Sequence, residues 1–259
     1  MINLLNQPGG NFRDPEISPD GPKETEALPE DVAKRNASLV EEWADKLYDA
    51  SAADILNWAH EYAPGKLVVT LSMENTVLAE LASRHLPDAD FLFLDTEYHF
   101  PETLEVADKV EARYPDHELV RVKAQLSRPE QDKVYGPNLY LRNPGACCRM
   151  RKVEPLAVHM SPYAGWITGL RRADGPTRAE APALSLDGTG RLKISPLVTW
   201  SLEDTEAFEE RHNLIIHPLT RQGYPSIGCA TCTLPVAEGE DPRAGRWAFA
   251  SKTECGLHE

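Results

Sequence analysis

Short apolar, β-branched runs set between helical stretches fix the fold class of this chain. Residues 66–71 (Lys-Leu-Val-Val-Thr-Leu) read as a strand covered on both faces, as in a parallel sheet. Residues 90–94 (Asp-Phe-Leu-Phe-Leu) read as a second strand that ends at Asp95-Thr96, and 118–122 as a third. Between them, 76–85 and 101–113 carry the helical period, the latter with Pro101 at its first turn. A further strand is expected over 166–170, and 183–186 with 191–194 flank Asp187-Gly188 as a hairpin or two neighbouring strands. Upstream, residues 30–62 read as two helices, the second capped by Ser51, and 202–212 is helical. Strand and helix alternate, so the class is α/β, with a mainly parallel sheet flanked by helices. Ligands of such sheets sit at the carboxyl ends of the strands, which points to the turns after Leu71 and Leu94.

The 259 residues show no internal repeat and no second core. One domain is expected over 28–247. Residues 1–27, rich in Pro, Gly, Asn, Asp and Glu, read as a loosely attached tail, and 248–259 as a mobile one. No apolar run approaches the ~20 residues of a membrane helix. Residues 1–8 have neither a basic segment nor a long apolar one, so no secretory signal is read and a cytoplasmic location is expected. With 27 Lys and Arg against 41 Asp and Glu, the net charge of −14 opposes non-specific nucleic-acid binding. It leaves room for a small anion, because a local group of arginines can reverse the field in one cleft.

Five cysteines divide as four plus one. Cys147 and Cys148 are adjacent, Cys229 and Cys232 form a Cys-x-x-Cys pair, and Cys255 stands alone near the C-terminus. An odd number without a signal argues against a secreted disulfide framework. Four thiolates are soft ligands for zinc or an iron–sulfur cluster. Adjacent thiolates point in different directions, which suits two irons of a cubane better than one tetrahedral ion. Buried, unliganded cysteine is the other reading. Cys255 has Lys252 and His258 nearby, and a neighbouring cation raises the thiolate fraction; a passive terminal cysteine is the alternative.

Several motifs together resemble one family. They are Cys147-Cys148-Arg149-Met150-Arg151-Lys152, Cys229-Ala230-Thr231-Cys232, Asp241-Pro242-Arg243-Ala244-Gly245-Arg246-Trp247, Glu254-Cys255-Gly256-Leu257-His258, and the turn from Leu94 to Thr103. This set is similar to the assimilatory adenylyl-sulfate reductases, sulfonucleotide reductases of the adenine-nucleotide α-hydrolase-like group. The resemblance runs from about Trp43 to His258. It implies reduction of adenylyl sulfate to sulfite and AMP with electrons from thioredoxin, in sulfate assimilation and cysteine biosynthesis. It implies that Cys255 is the nucleophile and passes through a thiosulfonate, and that Cys147, Cys148, Cys229 and Cys232 ligate one 4Fe–4S cluster.

Thiolate and sulfonucleotide are both anionic, so the site needs positive charge. Arg171, Arg172, Arg178, Arg243 and Arg246 are the candidates, since guanidinium forks match phosphate and sulfate oxygens. By motif position, the resemblance assigns phosphosulfate contacts to Lys152, Arg243 and Arg246, with one or two of Arg171, Arg172 and Arg178, and adds His258. Lys152 follows the cysteine pair by a helical turn and can face both cluster and substrate. Ser72, in the turn after the first strand, is either a nucleotide contact or a helix cap. That turn lacks the Gly-Gly of an ATP-cleaving loop. The segment 171–178 departs from the family's usual Arg-Arg-Asp-Gln-Ser, which leaves open which arginine reaches substrate. Competing readings are a reductase of the 3′-phosphorylated nucleotide, an iron–sulfur tRNA-thiolating enzyme, and a metal-binding scaffold without activity. A homo-oligomer is left open.

Overall fold

The structure is a computed structural model that describes residues 27–250, 252 and 256. Most of the two expected tails, with Cys255 and His258, lies outside the described residues. Two helices come first, α1 (Glu30–Leu47) and α2 (Ala52–Tyr62); Ser51 caps the second by accepting the Asp54 amide at 3.1 Å. Then β1 (Leu67–Thr70), α3 (Val77–His85), β2 (Asp90–Asp95), α4 (Pro101–Arg113) and β3 (Leu119–Lys123) alternate as the hydrophobic pattern predicts.

The connection from β3 to the next strand was not legible in the sequence. It holds α5 (Arg128–Tyr135), the short helices α6 (Leu139–Arg142) and α7 (Pro144–Cys148), and α8 (Glu154–His159). A π-helical turn over Arg149–Val153 joins α7 to α8. These pieces are short or polar and give no long apolar stripe for a periodicity argument. Strand β4 (Gly165–Ile167) follows, shorter than expected, then β5 (Leu184–Leu186), β6 (Leu192–Ile194) and α9 (Leu202–His212). After α9 the chain is mostly loop.

The six strands lie in the order β3-β2-β1-β4-β6-β5. All neighbours are parallel except the β5–β6 hairpin at one edge. Side chains alternate between faces, as strand geometry requires. Leu67, Val69, Phe91, Phe93 and Ile167 join the large core formed with α1 to α4. Val68, Leu92, Val122 and Trp166 face the other way, onto Leu156, Met160 and Tyr163. The chain leaves β1 toward β2 and β3 and returns on its other side as β4, so a topological switch point lies between β1 and β4. No helix among the described residues is long and apolar enough to cross a membrane.

Candidate active site

A cleft of about 810 Å3 opens at the carboxyl ends of β1, β2 and β4, a volume suited to a small molecule. Leu71, Phe93, Leu94 and Leu170 supply apolar wall, and Lys152, Arg171, Arg178, Arg221, Arg243 and Arg246 supply positive charge. Glu74, Asp174, Glu206, Glu209 and Glu210 line it too, so six cations stand with five carboxylates in a protein whose net charge is −14.

The cleft brings together Ser72, Lys152, Arg171, Arg178, Arg243 and Arg246. Ser72 is not the cap of α3: its Oγ accepts the Glu74 amide at 3.4 Å, and Asn75 Oδ1 takes the Val77 amide at 3.2 Å. Arg171 and Arg178 share Asp174. Arg171 Nε donates to Asp174 Oδ1 at 2.9 Å and Arg178 Nη1 to Oδ2 at 3.1 Å, while Arg171 Nη1 reaches Thr205 Oγ1 at 2.8 Å. The Asp of the usual Arg-Arg-Asp-Gln-Ser segment stands one residue later here, and as Asp174 it holds two arginines. Arg172 turns away from the cleft. It donates to Asp49 Oδ1 at 2.7 Å and to the Tyr48 carbonyl at 2.8 Å, and stacks on the Tyr48 ring.

The four cysteines meet in a second cavity, next to the cleft. Cys147 packs against Tyr98 and Leu139, whereas Cys148 packs with Cys232 and Trp247. Adjacent thiols thus diverge, as adjacency on a helix requires. Cys147, Cys148 and Cys232 are buried, and none of the four is in a disulfide. Burial, and then the neighbouring cysteines, push the Cys147 thiol up to about 12 and the Cys232 thiol to about 11. At neutral pH such thiols are protonated unless something positive lies among them, so the donor set fits a cationic inorganic group with soft-ligand preference. Among the described residues, no group of three or more His, Cys, Asp or Glu is arranged to hold a single metal ion.

Lys152, Arg246 and Trp247 line both cavities and form their common wall. Arg246 Nη1 donates to Ser226 Oγ at 3.2 Å and to the Ile227 carbonyl at 3.1 Å, and its guanidinium lies over the Trp247 ring. Trp247 is 1% exposed, and its amide donates to the Cys232 carbonyl at 3.0 Å. Gly228, just before Cys229, leaves the space that the Arg246 guanidinium fills. A methyl group there would meet the end of a flexible side chain. We therefore expect Gly228→Ala to fold with a near-parental melting temperature but to displace Arg246 and weaken anion binding about tenfold, the worth of one charge-assisted hydrogen bond. Calorimetric titration with AMP would check it.

The sequence reading missed several groups at the site. Thr96 Oγ1 lies 3.3 Å from Cys229 Sγ. His99 lines the cleft beside Lys152. Its Nε2 lies 2.8 Å from the Leu94 carbonyl, which fixes the proton on Nε2 and leaves Nδ1 a buried acceptor without a partner. Burial lowers its pKa, so the ring is neutral. Glu74 ties the β1–α3 turn to the loop before Cys229 by accepting the Ile227 amide at 3.0 Å. Burial raises its carboxyl, and the Ile227 bond, Arg171 and Arg246 act against that rise. Thr96 and His99 fall inside the motif from Leu94 to Thr103; Glu74 and Glu209 had no signal beyond being acidic.

Glu209, 8% exposed, also lines the cleft. Its carboxyl is pushed up to about 7 by burial, then by Glu206 and Glu74, against the pull of Arg171 and Arg221. A raised carboxyl keeps its proton in the fold while the unfolded chain releases it, so stability falls as pH rises from about 4.3 to 7. Glu209→Gln is expected to raise the melting temperature at pH 8 and leave it unchanged at pH 4. Scanning calorimetry at both pH values checks the sign.

Comparison with known proteins agrees with this arrangement. Residues 66–235 match the phosphoadenosine phosphosulfate reductase domain model. Relatives named adenosine 5′-phosphosulfate reductase include one from Mycolicibacterium smegmatis, 48% identical over 221 residues, covering 85% of this chain and 93% of that protein. One from Streptomyces coelicolor is 48% identical over 222 residues, covering 85% and 94%. Among solved structures, a phosphoadenylyl-sulfate reductase from Candida auris, as its phosphate complex, superposes with a TM-score of 0.65 at 27% identity, covering 75% of this chain and 96% of that one. A cleft at the switch point, walled off from four thiols by Lys152, Arg246 and Trp247, and matches of this extent have one explanation: the chain belongs to the phosphoadenosine phosphosulfate reductase domain family.

Proposed function

We propose that this chain reduces adenylyl sulfate to sulfite and AMP, with a reduced thioredoxin as electron donor, in the cytoplasm and as a step of sulfate assimilation. The observation that carries the reading is the cleft at the β1/β4 switch point, whose Lys152 and Arg246 also form the wall it shares with the four-cysteine cavity. The reductases named for this substrate, at 48% identity, support the choice of nucleotide.

The chemistry follows from charge. The Cys255 thiolate attacks the sulfur of the sulfate group; an S–S bond forms, the S–O bond to phosphate breaks, and AMP leaves with the electron pair. Lys152, Arg243 and Arg246 hold the phosphosulfate and offset the negative charge of both reactants, which would otherwise repel. Arg171 and Arg178 stand on the same cleft, aligned by Asp174. A thioredoxin thiolate then attacks Cys255 Sγ and releases sulfite. Its second thiol attacks the mixed disulfide, frees Cys255 as thiolate and leaves thioredoxin oxidised. The two electrons that reduce the sulfur come from that dithiol.

Cys147, Cys148, Cys229 and Cys232 would hold one 4Fe–4S cluster. When bound, it supplies a fixed charge beside Lys152 and a clamp between two distant parts of the chain. The other residues' work is positional: Trp247 closes the wall, and Glu74 anchors the loop that carries Cys229.

The test is a paired sulfite-release assay on adenylyl sulfate and its 3′-phosphorylated form with reduced thioredoxin. Turnover of the first with little of the second is expected. Preference for the second, or no sulfite from either, overturns the reading. In the same assay, Arg243→Ala and Arg246→Ala are each expected to weaken substrate binding by about 1.5–3 kcal/mol, the worth of a hydrogen bond to a charged group. Unchanged KM in both would remove these residues from the site.

A further inference from the structure

We propose that Glu97 is a positioning residue which, with Gln131, fixes the guanidinium of Arg151 so that one of its nitrogens is presented to the four-cysteine cavity. The inference rests on the reading that the four thiols hold an iron–sulfur cluster.

Arg151 lies in the π-helical turn between α7 and α8, is 1% exposed, and lines the cysteine cavity. A guanidinium cannot be buried so deeply without a countercharge and anchors for its donors. Two of its three nitrogens are anchored. Nη1 pairs with Glu97 Oε2 at 2.6 Å, and Nε donates to Gln131 Oε1 at 2.8 Å. A planar group held at two corners has its third corner fixed as well. That corner, Nη2, is buried and has no hydrogen-bond partner. An unpartnered buried donor in a cavity lined by thiols is a donor kept for what those thiols hold.

The anchors are themselves held. Glu97 has left-handed backbone, φ 58°, which is costly for a residue with a side chain. Asp95 stabilises that turn by accepting the Glu97 amide at 2.9 Å, and the Arg128 amide donates to Glu97 Oε2 at 3.1 Å. Gln131 is fully buried at the start of α5, a helix whose first turn is set by the Ser127–Glu130 capping box. The neighbours of Glu97 address the same cavity. Thr96 Oγ1 approaches Cys229 Sγ, and the Tyr98 carbonyl accepts the Ala230 amide at 2.7 Å. The strained conformation at Glu97 therefore turns three consecutive residues toward the cysteines, and its carboxylate neutralises the arginine it aims.

The experiment uses the whole chain, purified without oxygen, and reads the iron–cysteine stretching bands by resonance Raman spectroscopy. A hydrogen bond to a ligating sulfur shifts those bands, whereas a merely structural role of Glu97 would not. Compared are the parent, Glu97→Gln, Glu97→Gly, Arg151→Leu and the Glu97→Gly/Arg151→Leu double variant. Glu97→Gly relieves the backbone while deleting the anchor. Both Glu97 variants are expected to shift the bands in the direction that Arg151→Leu does, and the double variant to shift them no further than Arg151→Leu alone. Parental bands in the Glu97 variants, or additive shifts in the double variant, overturn the proposal. If a Glu97 variant does not accumulate folded, Gln131→Met removes the other anchor and carries the same comparison. A parent protein without iron overturns the reading of the thiols itself, and is recognised before any variant is compared.

Discussion

Cys255→Ser is expected to lower sulfite release by about 10⁴-fold or more, the scale on which an enzyme loses rate with its nucleophile. The hydroxyl of serine is a far weaker nucleophile at neutral pH than a thiolate. Even if it reacted, the sulfate monoester formed on the serine would offer thioredoxin no S–S bond to cleave. Cys255 lies outside the described residues, and its Glu-Cys-Gly-Leu-His motif singles it out. Gly256 provides one physical link. It has φ 85°, and a methyl group on it would lie 3.5 Å from Val153, next to the Lys152 that lines the cleft. AMP binding and iron content should be unchanged in the variant. Mass spectrometry of the parent mixed with adenylyl sulfate and no thioredoxin should find a sulfonate on the Cys255 peptide, lost on adding reduced thioredoxin. An adduct on another cysteine, or normal turnover by Cys255→Ser, would refute the assignment.

The second large effect concerns the thiols of the buried cavity. Changing any one of Cys147, Cys148, Cys229 or Cys232 to Ser is expected to give colourless protein with activity reduced about 100-fold or more, beyond what loss of an outer-shell partner costs. The cause is the common wall: Trp247 hangs from the Cys232 carbonyl, and Arg246 packs against Gly228 beside Cys229. Releasing one sulfur loosens the loop against which Arg246 is packed. Iron analysis after anaerobic purification checks it, and one tightly bound zinc with no iron would refute the cluster.

Most of the sheet was legible because buried parallel strands leave a strong signal. Leu67–Thr70 and Asp90–Asp95 are apolar on both faces, and Pro101 marks where α4 begins. The stretch from Arg128 to His159 was not legible as elements, because its helices take their stability from tertiary partners and not from an apolar stripe. Gln131 and Arg151 are buried there by pairing with each other and with Glu97, and a polar residue buried by its partner leaves no hydrophobic pattern. The candidate site divides in the same way. Residue type was enough to single out the cysteines, and their motifs pointed to Lys152, Arg243 and Arg246. It could not separate Arg171 from Arg172, adjacent in sequence. Asp174 and Thr205 keep the first on the cleft, and Tyr48 and Asp49 draw the second to the far end of α1.

The placing of the two cysteine pairs has a consequence for how the protein is made. Cys147 and Cys148 lie in the crossover between β3 and β4, whereas Cys229 and Cys232 come after the last helix, with the β5–β6 hairpin in between. During synthesis the first pair therefore emerges about 80 residues before the second. Only a chain that has completed its sheet brings all four to one cavity, and parallel pairings across such separations are slow to form. A lone metal ion met by the growing chain finds at most two thiols in reach. The full set of four thiols comes together only after folding, so a group that needs all four would be loaded onto a domain that has already assembled.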